Sequence, residues 1–179
     1  MPPHRPPPKP KRPLQVFIDT GALLAMTVFP KDKRGGRTLA GEALELYEAG
    51  RFELILSEPV VEELRRVVQR KFPKHLRKVE AFLAPLKGRF TRWPTPKEVE
   101  AARPATVDPT DAPIFAAAIV AEPKPDIILS NDFTAFHTDR AKRFFAEYGL
   151  KVESLYGLLC LLGLRERRAS PPRSGPRGP

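Results

Sequence analysis

Short apolar runs alternate with amphipathic segments along the middle of the chain. Runs at residues 14–19, 52–56, 126–129 and 151–154 have the length and the β-favouring composition of strands. Between them, apolar residues recur at the spacing of helices that bury one face. Strands that alternate with helices in this way predict an α/β sandwich with a mostly parallel central sheet flanked by helices.

The other regions are richer in turn-forming residues. Residues 89–93 are predicted to form an edge strand, and residues 94–107 a proline-rich loop with one helical turn near residues 98–102. Helices are predicted near residues 39–47, 57–68, 74–86, 114–121, 140–148 and 155–164.

The first strand ends on a carboxylate. The apolar residues Val16, Phe17 and Ile18 are followed by Asp19 and Thr20. In an open parallel sheet, ligands bind in the crevice at the carboxyl ends of the strands, which makes Asp19 a candidate catalytic or metal-binding group. The alternative is that Asp19 only caps the next turn or helix, a common role for aspartate after a strand.

A later strand closes in the same manner. Leu129 is followed by Ser130, Asn131 and Asp132, so an apolar strand again leads to a hydroxyl and a carboxylate. Asp111 stands at the start of the alanine-rich helix, where an N-cap role and a role in a site are compatible. We therefore expect three aspartates at the same edge of the sheet.

The helix that begins near Ser57 supplies a further acid. Its apolar stripe is centred near Leu64, which places Glu63 on the flank of the buried face and turns Glu62 toward water. Glu63 is therefore predicted to reach the crevice. The alternative is an ordinary surface charge paired with a neighbouring basic residue such as Arg66.

A cluster of four acids needs a positive charge, because like charges a few ångströms apart raise one another's pKa values. All the candidate ligands are oxygens, since neither the three histidines nor the single cysteine belongs to the set. Oxygen ligands favour Mg²⁺ or Mn²⁺ over zinc. Magnesium held by few carboxylates keeps waters and commonly meets phosphate, so the implied chemistry is phosphodiester hydrolysis by a metal-activated water.

Proline and positive charge are concentrated at the two ends. Residues 1–13 hold seven prolines and a net charge of +4, and residues 165–179 hold four prolines and a net charge of +4. Both are predicted to be disordered tails around one folded domain at residues 14–164. That domain retains only +2 of the total charge of +10. Basic tails suit a polyanion such as nucleic acid, or they serve solubility alone.

Composition also excludes several classes of protein. No run of about 18 apolar residues is present, so no membrane span is expected. The basic start is not followed by the apolar region of a secretory signal. A single cysteine cannot form an internal disulfide. These features predict a cytoplasmic protein.

Four segments together resemble the PIN domain family, and especially its VapC-type toxin branch. They are the end of the first strand at residues 16–20, and residues 57–64, 108–111 and 129–132. The segments follow the order and spacing of the family over about residues 14–162. The resemblance implies a three-layer PIN-like sandwich.

The resemblance also implies an endoribonuclease that depends on Mg²⁺ or Mn²⁺ and acts on RNA. Such proteins are often homodimers and are often held inactive by a cognate antitoxin protein. By position, the catalytic acids fall on Asp19, Glu63, Asp111 and Asp132. The metal ligands among them are Asp19, Asp111 and Asp132. Supporting positions fall on Thr20, Ser130 and Asn131.

Two residues depart from the family pattern. Gly21 stands where many members have asparagine or serine, and Asn131 stands where many have glycine. Asn131 adds a side chain at the rim of the site and could change substrate access, but neither departure removes a metal ligand. Two alternatives stay open, namely a non-catalytic PIN module that binds RNA or protein, and a housekeeping RNA-processing nuclease instead of a toxin.

Overall fold

The structure is a computed structural model, and it describes residues 12–165. Within that range the chain forms four β-strands and eight α-helices, joined by loops and short 3-10 turns. The strands are β1 (Leu14–Ile18), β2 (Phe52–Ile55), β3 (Ile127–Leu129) and β4 (Lys151–Glu153). The helices are α1 (Thr20–Val28), α2 (Leu39–Glu48), α3 (Glu58–Lys71), α4 (Leu76–Leu83), α5 (Pro96–Ala102), α6 (Ala112–Ile119), α7 (Asp139–Glu147) and α8 (Leu155–Leu161).

The strands form one parallel sheet in the order β2-β1-β3-β4. In its register, Val16 of β1 lies between Leu54 of β2 and Ile127 of β3. Because all strands point the same way, their carboxyl ends meet at one edge, and the residues that follow β1 and β3 become neighbours. This topology confirms the predicted α/β sandwich, with β1 as one of the two inner strands.

The core is apolar on both faces of the sheet. Residues 16–18 of β1 are fully buried, as expected for a parallel strand covered by helices on both sides. Phe115 of α6 contacts Phe136 and Phe145, with ring centroids 4.6 Å and 4.8 Å away. Helix α1 packs on α2 and α3, α5 packs on α6, and α7 packs on β4. The helices thereby surround the sheet and fix the edge at which the strands end.

Helix α1 is not indicated by the sequence pattern. Its nine residues are mostly buried, so it lacks the polar face whose contrast with an apolar face marks a helix in sequence. The consequence for the site is direct, because the helix begins immediately after Asp19 and turns the chain at the end of β1.

Residues 89–107 also differ from the prediction. Residues 89–93 form no strand and make a single parallel bridge, between Thr91 and Ser57. The predicted turn is a seven-residue helix, α5, that starts with a capping box. In that box Thr95 N donates to Glu98 Oε2 at 2.7 Å, and Glu98 N donates to Thr95 Oγ1 at 3.3 Å. Reciprocal capping stabilises a helix too short to show a periodic stripe.

The predicted tails at residues 1–13 and 165–179 lie almost wholly outside the described residues. At the two ends of the described part, Arg12 pairs with Asp126 at 2.6 Å and Arg165 pairs with Glu42 at 2.7 Å. Between residues 12 and 165, none of the helices has the length and apolar character required to cross a membrane.

Candidate active site

Asp19 is held at the junction of β1 and α1. Its backbone N–H donates to Leu129 O of β3 at 3.0 Å, and its side-chain Oδ1 accepts from Ala22 N at 2.7 Å. The second carboxylate oxygen accepts a short hydrogen bond from Ser130 Oγ. Asp19 is only 3% exposed. It therefore caps α1, as the structural alternative proposed, and it also faces the neighbouring strand end.

Ser130 links the two strand ends. Its fully buried hydroxyl donates to Asp19 and accepts from Asp132 N at 3.0 Å. Its carbonyl oxygen lies 2.7 Å from Nε2 of His137, whose ring stacks on Phe133 with centroids 4.3 Å apart. One small side chain thus sets the separation between the first and last candidate acids, while its carbonyl ties down the loop that follows β3.

Asp132 orders that loop with one of its two oxygens. Oδ1 accepts from Thr134 N at 3.0 Å, from Thr134 Oγ1 at 2.8 Å and from Ala135 N at 3.0 Å. The side chain is exposed. Because these bonds all use Oδ1, the other oxygen, Oδ2, is the one available to a ligand.

Asp111 occupies the N-cap position of α6 and makes no side-chain capping bond there. The turn before α6 is held instead by Asp108, whose Oδ1 accepts from Thr110 N at 2.9 Å. The two acids of the Asp108–Asp111 segment therefore have different roles. Asp108 stabilises the turn, and the half-buried carboxylate of Asp111 is left without a capping role.

Glu63 faces the strand ends from α3. Thr20 Oγ1 donates to Glu63 Oε2 at 2.6 Å, and Arg66 Nη2 lies 3.9 Å from Glu63 Oε1. Glu63 is half-buried and Glu62 is exposed, as the helical periodicity predicts. Both roles considered for Glu63 are present, since it reaches the crevice and also has a basic neighbour on its own helix.

One cleft of about 230 Å³ brings these residues together. Its acidic lining comes from four separate segments of the chain: Asp19, Glu63, Asp111 and Asp132. Thr20 and Gly21 line it too, and a Cβ on Gly21 would lie 3.8 Å from Asp19 Oδ1, an ordinary contact.

The other two supporting positions act from outside the cleft lining. Ser130 is buried behind the acids, where it bonds to Asp19 and Asp132. Asn131 Oδ1 accepts from Leu155 N at 2.8 Å, so this side chain holds the start of α8. That bond gives Asn131 a structural role that differs from the expected effect on substrate access.

The apolar part of the cleft wall comes from Leu24, Val67, Ile114 and Phe136. Sequence reasoning does not single these residues out, because a side chain that lines a cleft has the same helical spacing as one that fills the core.

The acids influence one another electrostatically. The pKa of Asp19 is raised from 3.8 to about 6, chiefly by burial and to a smaller extent by the charges of Asp132 and Glu63, against the hydrogen bonds from Ser130 and Ala22. The pKa of Asp111 is likewise raised from 3.8 to about 6, first by burial and then by the charges of Asp108, Asp132 and Glu63. A cation in the cleft would favour the charged form of both groups.

The cleft fits a divalent metal only if the ion keeps part of its water shell. Among residues 12–165, no three acidic, histidine or cysteine side chains converge closely enough to enclose an ion by themselves. The donor set still fits hydrated Mg²⁺ or Mn²⁺, since Mg²⁺ keeps several waters and is commonly bound through one or two carboxylates. A volume of about 230 Å³ has room for such an ion, since each water takes about 30 Å³.

Comparison with known proteins gives one match. The sequence model described as "PIN domain" matches residues 15–134, a range that includes all four candidate acids. Neither the search of curated proteins nor the search of solved structures found a match.

Proposed function

Because the chain belongs to the PIN domain family, whose members are generally nucleases, we propose that it is a divalent-metal-dependent endoribonuclease that hydrolyses RNA phosphodiester bonds. The observation that supports this proposal most is the convergence of four carboxylates, from four separate segments, on one cleft at the carboxyl edge of the sheet. A cation bound in the cleft would favour the charged form of the acids that line it.

In this proposal Asp19, Asp111 and Asp132 would hold a hydrated Mg²⁺ or Mn²⁺, with one or two of the carboxylates in direct contact and the others bound through its waters. The ion when bound would supply an activated water and neutralise phosphate charge. Asp132 offers its Oδ2, because Oδ1 is used by the loop. Asp111 offers a carboxylate with no capping role. Asp19 is held in one orientation by Ser130 and by its capping bond.

Glu63 is proposed to take a proton. Its Oε2 is engaged by Thr20, while Oε1 lies 3.9 Å from Arg66 and is the freer oxygen. A carboxylate beside the attacking water can accept its proton, a contribution that is typically worth about 100-fold or more in rate. Thr20 positions Glu63 for that role.

A second candidate function is supported by one observation. Within the described residues no three ligand groups converge at metal-binding distance, which suits a PIN module that binds RNA or protein without cutting it. The nuclease proposal and this alternative differ in whether RNA is cleaved when Mn²⁺ is supplied.

The test is cleavage of a labelled RNA by the full chain with Mn²⁺ or Mg²⁺, and with EDTA as the metal-free control. We expect metal-dependent cleavage that Asp132→Asn and Asp19→Asn each abolish while the circular dichroism spectrum is retained. Asp139→Asn, an exposed acid in the first turn of α7, is the matched control and should cleave like the wild type. Cleavage that survives both cleft substitutions, or that continues in EDTA, would contradict the site assignment.

We further propose that the protein acts as the toxin of a toxin-antitoxin pair in the cytoplasm, as a homodimer that a cognate antitoxin inhibits. The resemblance to the VapC-type branch supports this finer assignment. A small upstream reading frame with a DNA-binding N-terminus, whose product relieves growth arrest caused by this chain, is the expected finding. Expression without any growth defect would favour an RNA-processing nuclease.

A further inference from the structure

A second groove opens beside the acidic cleft. It has a volume of about 350 Å³ and runs between α3 and the start of α6, with Trp93 and Arg66 among its walls. Glu63 and Ile114 line both this groove and the acidic cleft. The two concavities are therefore neighbours that share a wall, and a linear substrate that lies across the acids ends beside the groove.

Trp93 presents an aromatic face in that groove. It is the only tryptophan of the chain and is 47% exposed. Its backbone is fixed, because Arg92 Nη1 donates to Trp93 O at 2.9 Å. The Arg92 guanidinium also forms two bonds to Glu98, at 2.9 Å and 2.8 Å. An exposed indole on a fixed backbone can stack on a planar ligand without a large ordering cost.

The charged lining of the groove is net negative, because Glu62 and Glu63 oppose the single Arg66. The Arg66 side chain is 73% exposed and approaches Glu63 no closer than 3.9 Å, so its guanidinium can reach a phosphate. Glu62 also lines the groove and opposes the binding of an anion. The lining as a whole therefore does not attract an anion, so Arg66 can contribute only a local phosphate contact and stacking on Trp93 has to supply most of the groove's affinity.

We infer that this groove binds one nucleotide of single-stranded RNA next to the cleaved phosphate, with its base stacked on Trp93 and a phosphate oxygen near Arg66. The inference rests on the proposed nuclease function and adds to it a base-binding role for Trp93. A base within a duplex has both faces covered by its neighbours, whereas an unpaired base can stack on an aromatic side chain.

The single tryptophan makes this contact directly measurable. The full chain is titrated in EDTA, where no cleavage is expected, with an unstructured fluorescein-labelled RNA, and both tryptophan emission and RNA anisotropy are recorded. We expect emission to be quenched in parallel with the anisotropy increase. The matched competitor is the same RNA annealed into a duplex, which should bind with little quenching. An oligomer of equal charge without bases should also leave the emission unchanged.

Substitutions at two residues separate stacking from charge. Trp93→Ala should weaken binding of the unpaired RNA by about 5-fold to 100-fold, and Trp93→Phe should recover much of that loss. Arg66→Gln should weaken binding less and lower the salt dependence of the affinity by about 0.7 in the logarithmic slope. Tyr148→Ala and Arg51→Gln, which precede β4 and β2 at the opposite edge of the sheet, are the aromatic and charge controls and should bind like the wild type.

Several results would overturn the inference. They are saturated binding without quenching, equal quenching by the duplex, and wild-type affinity in Trp93→Ala. None of these depends on catalysis, so a chain that shows the predicted quenching yet cuts no RNA would contradict the nuclease proposal and retain the binding groove.

Discussion

At the scale of single residues, Asp19 combines two roles. The bond from Ala22 N to Oδ1 is an ordinary helix cap, and a cap alone does not require a second, buried partner. Ser130 nevertheless holds the other oxygen, and burial, with a smaller contribution from the neighbouring acids, raises the pKa of the group. The cap therefore fixes the carboxylate in the orientation that the cleft uses.

The substitution Glu63→Gln tests the proposal that Glu63 accepts a proton. Glu63→Gln keeps the size of the side chain and its contact with Thr20 but removes the basic oxygen, so cleavage should slow by about 100-fold with an unchanged melting temperature. Glu147→Gln, an exposed position on α7, serves as the control. Equal single-turnover rates for Glu63→Gln and the wild type would show that the glutamate does not take part in the reaction.

The raised pKa of Asp111 predicts that its negative charge, which the proposed function needs, lowers the stability of the metal-free protein. Its pKa is raised from 3.8 to about 6, so in metal-free protein the free energy of unfolding falls as the pH rises between these values and stays low above them. The shift corresponds to about 3 kcal/mol for a buried group. Solvent screening of this half-buried side chain reduces the destabilisation to roughly 1–2 kcal/mol. That cost is still larger than the ~0.5 kcal/mol by which the helix N-terminus stabilises a nearby negative charge.

Asp111→Asn should accordingly raise the melting temperature at pH 8 in EDTA by a few degrees while it abolishes cleavage. The gain should vanish near pH 4, where the wild-type carboxyl is largely protonated. Mg²⁺ should stabilise the wild type more than the variant. A variant that melts below the wild type at pH 8 would show that the charge of Asp111 is not a source of repulsion.

At the scale of elements, a close approach joins the start of α2 to the loop that follows α1. Thr38 N donates to Pro30 O at 3.1 Å, and the Thr38 hydroxyl caps α2 by accepting from Gly41 N at 3.0 Å. A Cβ on Gly41 would lie 2.0 Å from Pro30 O. Only glycine fits there, because the neighbour is backbone that also accepts a hydrogen bond.

Gly41→Ala should therefore destabilise the protein by about 1–3 kcal/mol, although alanine favours helices. Thermal unfolding should report a fall of about 2–8 °C in the melting temperature. Gly21→Ala is the matched control in α1, where the new Cβ has room, and it should gain about 0.5–1 kcal/mol. The same melting temperature for Gly41→Ala and the wild type would show that the two helices can separate at little cost.

At the scale of the whole molecule, the positive charge is concentrated at the chain ends and the candidate catalytic acids lie in the cleft. The acids gather in one cleft, whereas residues 1–11 and 166–179 together carry +6 of the net +10. A polyanion is attracted by such segments irrespective of its sequence. In this proposal the ends raise the local concentration of RNA, and the cleft with its neighbouring groove selects and cuts it.

Deletion of residues 1–11 and 166–179 keeps the ion pairs of Arg12 and Arg165. We expect weaker RNA binding and a shallower salt dependence, with the logarithmic slope reduced by about 0.7 for each phosphate that the ends neutralise. The single-turnover rate at saturating enzyme should stay unchanged. A salt slope identical to that of the full chain would mean that the ends only improve solubility.

The sequence alone determined the four strands of the sheet and most amphipathic helices, because apolar runs and apolar stripes are local properties of the chain, but it also predicted a strand at residues 89–93 that forms only one bridge. It also pointed to the acids Asp19 and Asp132, since a parallel strand presents its last residue at the ligand edge. Local patterns could not indicate α1, which is apolar on all sides, or α5, which depends on a capping box at Thr95 and Glu98.

Only the tertiary structure decided how the segments meet. The register of β1 with β3 brings Ser130 between Asp19 and Asp132, and the packing of α3 on α1 brings Glu63 to Thr20. The position of Trp93 beside the cleft follows from the path of a loop without periodicity. Such contacts join residues far apart in the chain, so their geometry depends on the packing of the whole fold and on no single stretch of sequence.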